Sequence, residues 1–248
     1  MSPSYETGHA KNVANFETLI SFVTGYGAAY NPSNVAIQLT GLQTKAANAK
    51  TATENLNNLL AIYSTLVAAR RDAFEPLSKL STRVFNSLKA SSASQSNIDS
   101  AETNHRKLQG RRASPKLTEE EKQSLIAVGK EVKQISVSQQ SFDSQLDSLD
   151  KQIKLLSVIP AYAPNEVELQ TATLTNLHTD LTQKNRATIN QITTLSSARI
   201  ARDEEMYNVE IGLIVVALDT KNYAKSLFGV STPQYKQISS LPFKNQKI

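Results

Sequence analysis

From Val35 onward the apolar positions of this chain step by four and three residues without a break: Val35, Leu39, Leu42, Ala46, Ala49, Thr53, Leu56, Leu60, Tyr63, Val67, Arg70 and Phe74. A stripe of that period lies on one face of a single long helix and has to be covered by other helices, since a strand would scatter it over two faces. The seam is long enough to read as a heptad repeat. Composition agrees: hydrophobic residues make 40% of the 248 residues, Trp is absent, and Gly and Pro number only eight each. That balance suits long helices better than sheets.

The pattern returns later in the chain. Tyr30-Asn-Pro-Ser-Asn-Val35 matches Tyr162-Ala-Pro-Asn-Glu-Val167 at an offset of 132 residues. At that offset a second, more polar seam runs through Val167, Thr171, Leu174, His178, Leu181, Asn185, Thr188, Ile192, Leu195, Arg199, Arg202 and Met206. Upstream, Asn15-Phe-Glu resembles Ser141-Phe-Asp at an offset of 126; downstream, Ser87-Leu-Lys-Ala-Ser-Ser92 resembles Ser226-Leu-Phe-Gly-Val-Ser231 at an offset of 139. Three collinear matches point to an internal duplication whose gaps fall beside turns, where insertions are tolerated.

Pro32 and Pro164 stand at the first turn of each seam helix, where a missing N–H is harmless, so each helix is predicted to run about 43 residues, or ~64 Å. Another helix precedes each seam, about 12–29 and 118–159. The second of these opens on the capping box Thr118-Glu-Glu-Glu121 and carries the stripe Leu125, Val128, Val132, Ile135, Phe142, Leu146, Leu149, Ile153 and Leu156. A further helix follows each seam, about 75–90 and 207–228. Gly229 reads as a C-cap, with Pro233 preventing continuation. The expected class is all-α: a first repeat 1–90, a Ser-rich and basic linker 91–117 as the least ordered part, a second repeat 118–229 and a tail 230–248. The repeats are expected to pair into an elongated bundle of long antiparallel helices.

Chemistry is constrained mainly by what is missing. With no Cys, disulfides, thiolate metal sites and cysteine catalysis are excluded. Neither a G-x-S-x-G elbow nor a Walker loop occurs, and no His stands in a turn near a candidate Ser. The pairs Glu6/His9 and Glu102/His105 have the spacing of a di-iron motif but fall outside the seam helices, so no metal, cofactor or catalytic residue is expected. His178 reads as an imidazole at the seam edge. Arg70, Arg199 and Arg202 fall at seam positions, either snorkelling or forming a polar layer that sets register, and Thr53 and Asn185 coincide under the 132-residue offset as another such layer.

The formal charge is +5, from 27 basic and 22 acidic residues; Arg106, Lys107, Arg111, Arg112 and Lys116 supply all of it. A short basic segment, rather than a basic groove or helix face, disfavours nucleic acid as a partner. Residues 1–10 show neither the basic start nor the apolar stretch of a secretory signal, so a cytoplasmic location is expected, with signal-independent export as the alternative. The longest apolar run, Ile211 to Leu218, is far short of the ~20 residues of a membrane span.

The closing stretch Lys221-Asn-Tyr-Ala-Lys-Ser-Leu-Phe-Gly-Val-Ser-Thr-Pro-Gln-Tyr-Lys-Gln237, ending in Leu241-Pro-Phe-Lys244, together with the Tyr-x-Pro openings, resembles a group of bacterial helical proteins of similar length. No activity is assigned to that group, so the resemblance implies architecture and no catalytic residues. The resulting expectation is a non-enzymatic, elongated helical scaffold or protein-interaction protein whose partner is itself or another protein. Its candidate contacts are Arg106, Lys107, Arg111 and Arg112 of the linker, and Tyr235, Leu241 and Phe243 of the tail. The alternative is a membrane-active helical protein of the pore-forming kind, in which 211–218 meets lipid only after a conformational change. No small-molecule substrate is evident.

Overall fold

The computed structural model describes residues 4–111, 118–129 and 140–245. Among them every regular element is helical: α1 (Ser4–Gly25), α2 (Leu39–Phe74), α3 (Leu77–Ala90), α4 (Gln95–Leu108), α5 (Glu119–Ala127), α6 (Phe142–Ser157), α7 (Thr171–Tyr207), α8 (Leu213–Phe228) and α9 (Pro233–Ser239). Short 3-10 turns occupy Gly27–Ala29, Val35–Ile37 and Val167–Leu169. The class is all-α, as the seams required.

Both seams become long helices, α2 and α7, of 36 and 37 residues. Leu42, Ala46, Ala49, Thr53 and Leu56 are buried along α2, as are Leu174, Leu181, Asn185, Thr188 and Leu195 along α7, whereas Ile192 is exposed. The helices begin later than Pro32 and Pro164 suggested. The Gln38 and Gln170 amides donate back to the Pro32 and Pro164 carbonyls at 3.1 and 3.4 Å, closing each turn on itself before the helix starts. Val35 and Val167 therefore sit in 3-10 turns, off the stripe, and are exposed.

Elsewhere the breaks fall at residues with specific backbone chemistry. Thr118 and Glu121 form the expected capping box, but α5 ends at Ala127 and Gly129 follows at φ 71, a left-handed conformation that does not continue a helix. Helix α6 starts afresh under Ser141, whose Oγ accepts the Ser144 N–H at 3.2 Å. Val132 and Ile135 of the expected stripe lie outside the described residues. The segment expected as a poorly ordered linker carries α4, capped by Ser94 and burying Ala101, His105 and Leu108. Helix α7 runs through Tyr207, and α8 begins only at Leu213. Gly229 caps α8 as expected, at φ 85, while Pro233 opens α9 under a Thr232 cap.

Two compact units divide the chain: Met1–Tyr63 with Gln191–Ile248 (unit 1), and Ser64–Asn190 (unit 2). Helices α2 and α7 thus contribute to both. In unit 1, α8 packs on α1 and on the Val35–Ile37 turn, and α9 packs on α8 and α1. Phe16, Leu19, Val23, Leu42, Met206 and Leu213 are in its core. In unit 2, α3 packs on the Val167–Leu169 turn, and α4 packs on α3 and α6. Its core includes Phe74, Leu77, Val84, Leu88, Leu156 and Leu174. Within unit 1, α2 and α7 pair antiparallel through Lys45 and Glu205 at 2.8 Å and Gln191 Nε2 to the Leu59 carbonyl at 3.1 Å. Within unit 2 they do so through Arg70 and Asn185 at 3.0 Å and Thr188 Oγ1 to the Leu66 carbonyl at 3.4 Å. Each unit therefore combines the opening turn of one sequence half with the closing helices of the other.

Candidate functional site

A Tyr-x-Pro turn organises each unit. The buried Tyr30 hydroxyl donates to the Ile37 carbonyl at 2.8 Å, and the buried Tyr162 hydroxyl to the Leu169 carbonyl at 2.7 Å. Burial pushes both phenols up to about 12. The same bond therefore locks the same turn twice, and the tyrosine ring forms a fixed wall.

The helix that covers each turn has the same burial pattern. Leu77, Ser81, Val84 and Leu88 of α3 correspond to Leu213, Ala217, Thr220 and Ala224 of α8, all buried, at an offset of 136. The offset of 139 suggested by Ser87-Leu and Ser226-Leu would set the fully buried Leu88 on Leu227, which is 39% exposed, so packing corrects the register by three. The upstream match is also corrected: Asn15 lies inside α1, whereas Ser141 caps α6. The step from 132 to 136 is taken up by the Asn208–Gly212 loop, where the Asn208 side chain accepts the Glu210 and Ile211 N–H groups at 2.8 and 3.1 Å.

At the corrected register Ser87 stands where unit 1 has Tyr223, and α3 ends at Ala90, so Ser91 and Ser92 have left the helix where Leu227 and Phe228 still continue α8. In unit 1, Tyr223 meets Tyr30 edge-on with ring centroids 5.2 Å apart, and Phe228 meets Tyr26 edge-on at 5.0 Å. In unit 2 the corresponding surface is an open groove of about 700 Å³ between the end of α3 and residues 161–169, walled by Tyr162, Pro164 and Leu169 and lined by the three serines. Its rim carries Asn86, Asn165 and Arg83, the last paired with Glu168 at 2.5 Å. That pairing holds the Glu168 carboxyl below its ordinary value. Both partners are solvent-exposed, so the pair contributes little to stability.

The residues proposed from sequence as contacts are distributed differently. Arg106 and Lys107 occupy the last turn of α4, where cations complement the helix dipole. Arg106 donates to Thr103 Oγ1 at 3.3 Å, the Lys107 carbonyl accepts the Gln140 amide at 2.8 Å, and exposed Arg111 donates its N–H to the Arg106 carbonyl at 2.9 Å. Arg112 lies outside the described residues. Tyr235 is half-buried on α9. Leu241 and Phe243 are not a free patch, because α9 turns the tail back over α1 and both pack into the unit 1 core. Phe243 lies edge-on to Phe16 at 6.4 Å, and the Asn12 side chain bonds the Lys244 backbone O and N at 2.7 and 3.1 Å. Lys221 donates to the Leu241 carbonyl at 2.5 Å, and burial lowers its pKa.

Two polar arrangements lie away from the groove. Ser81 Oγ and His105 Nδ1 are 2.9 Å apart. The pair is buried between α3 and α4, with His105 stacked on Phe85 at 4.8 Å, and it does not line the groove. Burial, reinforced by Arg111, pushes His105 below its ordinary value, against Glu102 and the Ser81 bond. Of the seam arginines, Arg70 takes part in a polar cluster in unit 2: it donates to Asn185, which donates to Asp143 at 2.7 Å. The apolar run is largely core, with Leu213, Val216 and Ala217 buried. Among the described residues no helix is long and apolar enough to cross a membrane, and no cluster of His, Asp and Glu could hold a metal.

No family model, curated protein or solved structure matches this chain. The groove therefore has to be read from its own geometry. Its serines are plain in the sequence, but the 139-residue register set Ser87 on Ser226 and hid the exchange of serine for aromatic.

Proposed function

We propose that this chain is a non-enzymatic helical scaffold that works by binding protein, and that its two units arose from a duplicated sequence. The observation that carries the interaction reading is the open unit 2 groove, where Ser87 replaces the tyrosine that packs on the matching turn in unit 1. The repeated turn, tyrosine bond and closing-helix register support the duplication. A photo-cross-linking residue tests the reading at Asn86, on the groove rim, against Asn222, its exposed counterpart in unit 1. Discrete adducts in the native cell from position 86 and not from 222 are expected. Adducts of twice the chain mass would identify self-association, and none from either position would overturn the reading. The membrane-active alternative requires the buried Leu213, Val216 and Ala217 to be released from the unit 1 core before they could meet lipid. Dye leakage from anionic liposomes, abolished by Ile211→Asp, would favour it.

A further inference from the structure

We infer that the face of α1 and α8 in unit 1 is a peptide-binding site for the extended segment 241–245, and that it takes this segment from a second copy of the chain as well as from its own. The site shares no residue with the unit 2 groove, so its failure would leave the interaction reading above intact. What the face reads is main chain. Asn12 of α1 grips the Lys244 backbone on both sides, its Nδ2 donating to the carbonyl at 2.7 Å and its Oδ1 accepting the N–H at 3.1 Å. Asn15 donates to the Pro242 carbonyl at 2.6 Å, and Lys221 of α8 donates to the Leu241 carbonyl at 2.5 Å. Pro242 brings no N–H that needs a partner. Selectivity for a side chain enters at Phe243, edge-on to Phe16 at 6.4 Å with Lys221 Nζ 5.0 Å from its ring centroid. Main-chain bonds for affinity with a side-chain pocket for choice are how extended peptides are recognised.

The segment is separable from the rest of the fold. Helix α9 is anchored by the fully buried Ile238 and ends at Ser239. Beyond it Leu241 and Phe243 are half-buried, and Pro242, Lys244 and Asn245 are exposed. Release therefore uncovers little apolar surface and returns Asn12, Asn15 and Lys221 to water, which places the segment at the low-stability end of the fold. A second copy is the occupant these contacts favour, because each copy carries both the segment and the face. Reciprocal exchange remakes every bond and closes a two-fold pair. Five extended residues reach about 17 Å, so exchange sets the two α1 and α8 faces directly opposite each other.

The test is paramagnetic relaxation between two full-length chains. The sequence has no Cys, so Lys244→Cys, at an exposed side chain, takes a single nitroxide. This chain is mixed with an isotope-labelled chain that carries no nitroxide, and the mixture is left until the NMR signal is constant. Residues 12–16 and 221–224 of the labelled copy should broaden. A segment tethered in cis acts at a concentration on the order of millimolar, so the broadening should grow as the chain approaches about that value. The same nitroxide at Lys154→Cys, exposed in unit 2, measures random encounter. Phe243→Ala should act in opposite directions. In the nitroxide chain it weakens the ligand and should cut the broadening about tenfold; in the labelled chain it frees the face and should raise it. Asn12→Ala in the labelled chain should abolish the effect, and the half-buried Phe243 keeps the test decisive if that variant does not fold. Broadening no greater than from Lys154→Cys, broadening centred on other amides, or a Phe243→Ala effect of the same sign in both copies would overturn the inference.

Discussion

Unit 1 and unit 2 use one plan with different contents. Both lock a Tyr-x-Pro turn with a tyrosine bond, and both cover it with a helix from the other sequence half. Unit 1 then fills the covered side with Tyr223 and Phe228 and straps α1 with its C-terminal tail, while unit 2 leaves a groove lined by serines. The seam arginines diverge in the same way. Arg202 is 0% exposed, with Nε and Nη2 on Asp203 Oδ1 at 3.0 and 2.8 Å. Its counterpart Arg70 is half-buried, bonded to neutral Asn185 and 4.1 Å above the Phe142 ring. The turn and the closing register are what the two units share; the side chains beside the turn and the charge partners are where they differ.

The largest effect separating the units is expected at these arginines. Arg202→Ala should cost about 3–5 kcal/mol, because it leaves a mostly buried Asp203 without its partner. Arg70→Ala should cost about 1 kcal/mol, through one hydrogen bond and a cation–π contact. Urea unfolding followed by circular dichroism measures both, and equal costs would erase the distinction. Next come Leu213→Ala and Leu77→Ala, equivalent core positions that should each lose about 2–5 kcal/mol by the same technique. A large cost at one and none at the other would break the equivalence of the closing helices. Tyr30→Phe and Tyr162→Phe should each cost about 1 kcal/mol by stranding a carbonyl acceptor. In the wild type, alkaline absorbance titration should leave two phenols ionising near pH 12, one fewer in each variant.

The smallest effect is a pH dependence confined to unit 2. His105 sits below its ordinary value of 6.5 in the fold, so the unfolded chain binds its proton more readily. The stability it contributes is complete above about pH 6.5 and declines as pH falls from there toward the folded value. Hydrogen exchange of α3 and α4 amides at pH 7 and pH 5 should show this loss, and His105→Gln should flatten it. An unchanged slope in that variant would assign the titration elsewhere.

Much of the local structure was legible because its cause is local. The four-three stepping produced α2 and α7, Thr118 and Glu121 produced their capping box, and Gly229 ended α8. Less visible was the helix in residues 95–108, since its polar surface outweighs the few positions it buries, Ala101, His105 and Leu108. The site was legible in composition and hidden in register. Ser87 and Ser92 stood in plain view, but a six-residue likeness to 226–231 was stronger as text than the burial pattern that sets α3 on α8.

By itself the sequence determined that this chain is all-α, that two long helices follow two like turns, and where several helices begin and end. Periodicity and capping act between residues a few positions apart, so they can be read in one dimension. Only the tertiary structure decided that each half closes the other's turn. Helix α3 packs on the Val167–Leu169 turn and α8 on the Val35–Ile37 turn, each a contact between residues far apart in the sequence. Whether a ring or a serine then faces the tyrosine wall depends on that long-range pairing, and no local pattern encodes it.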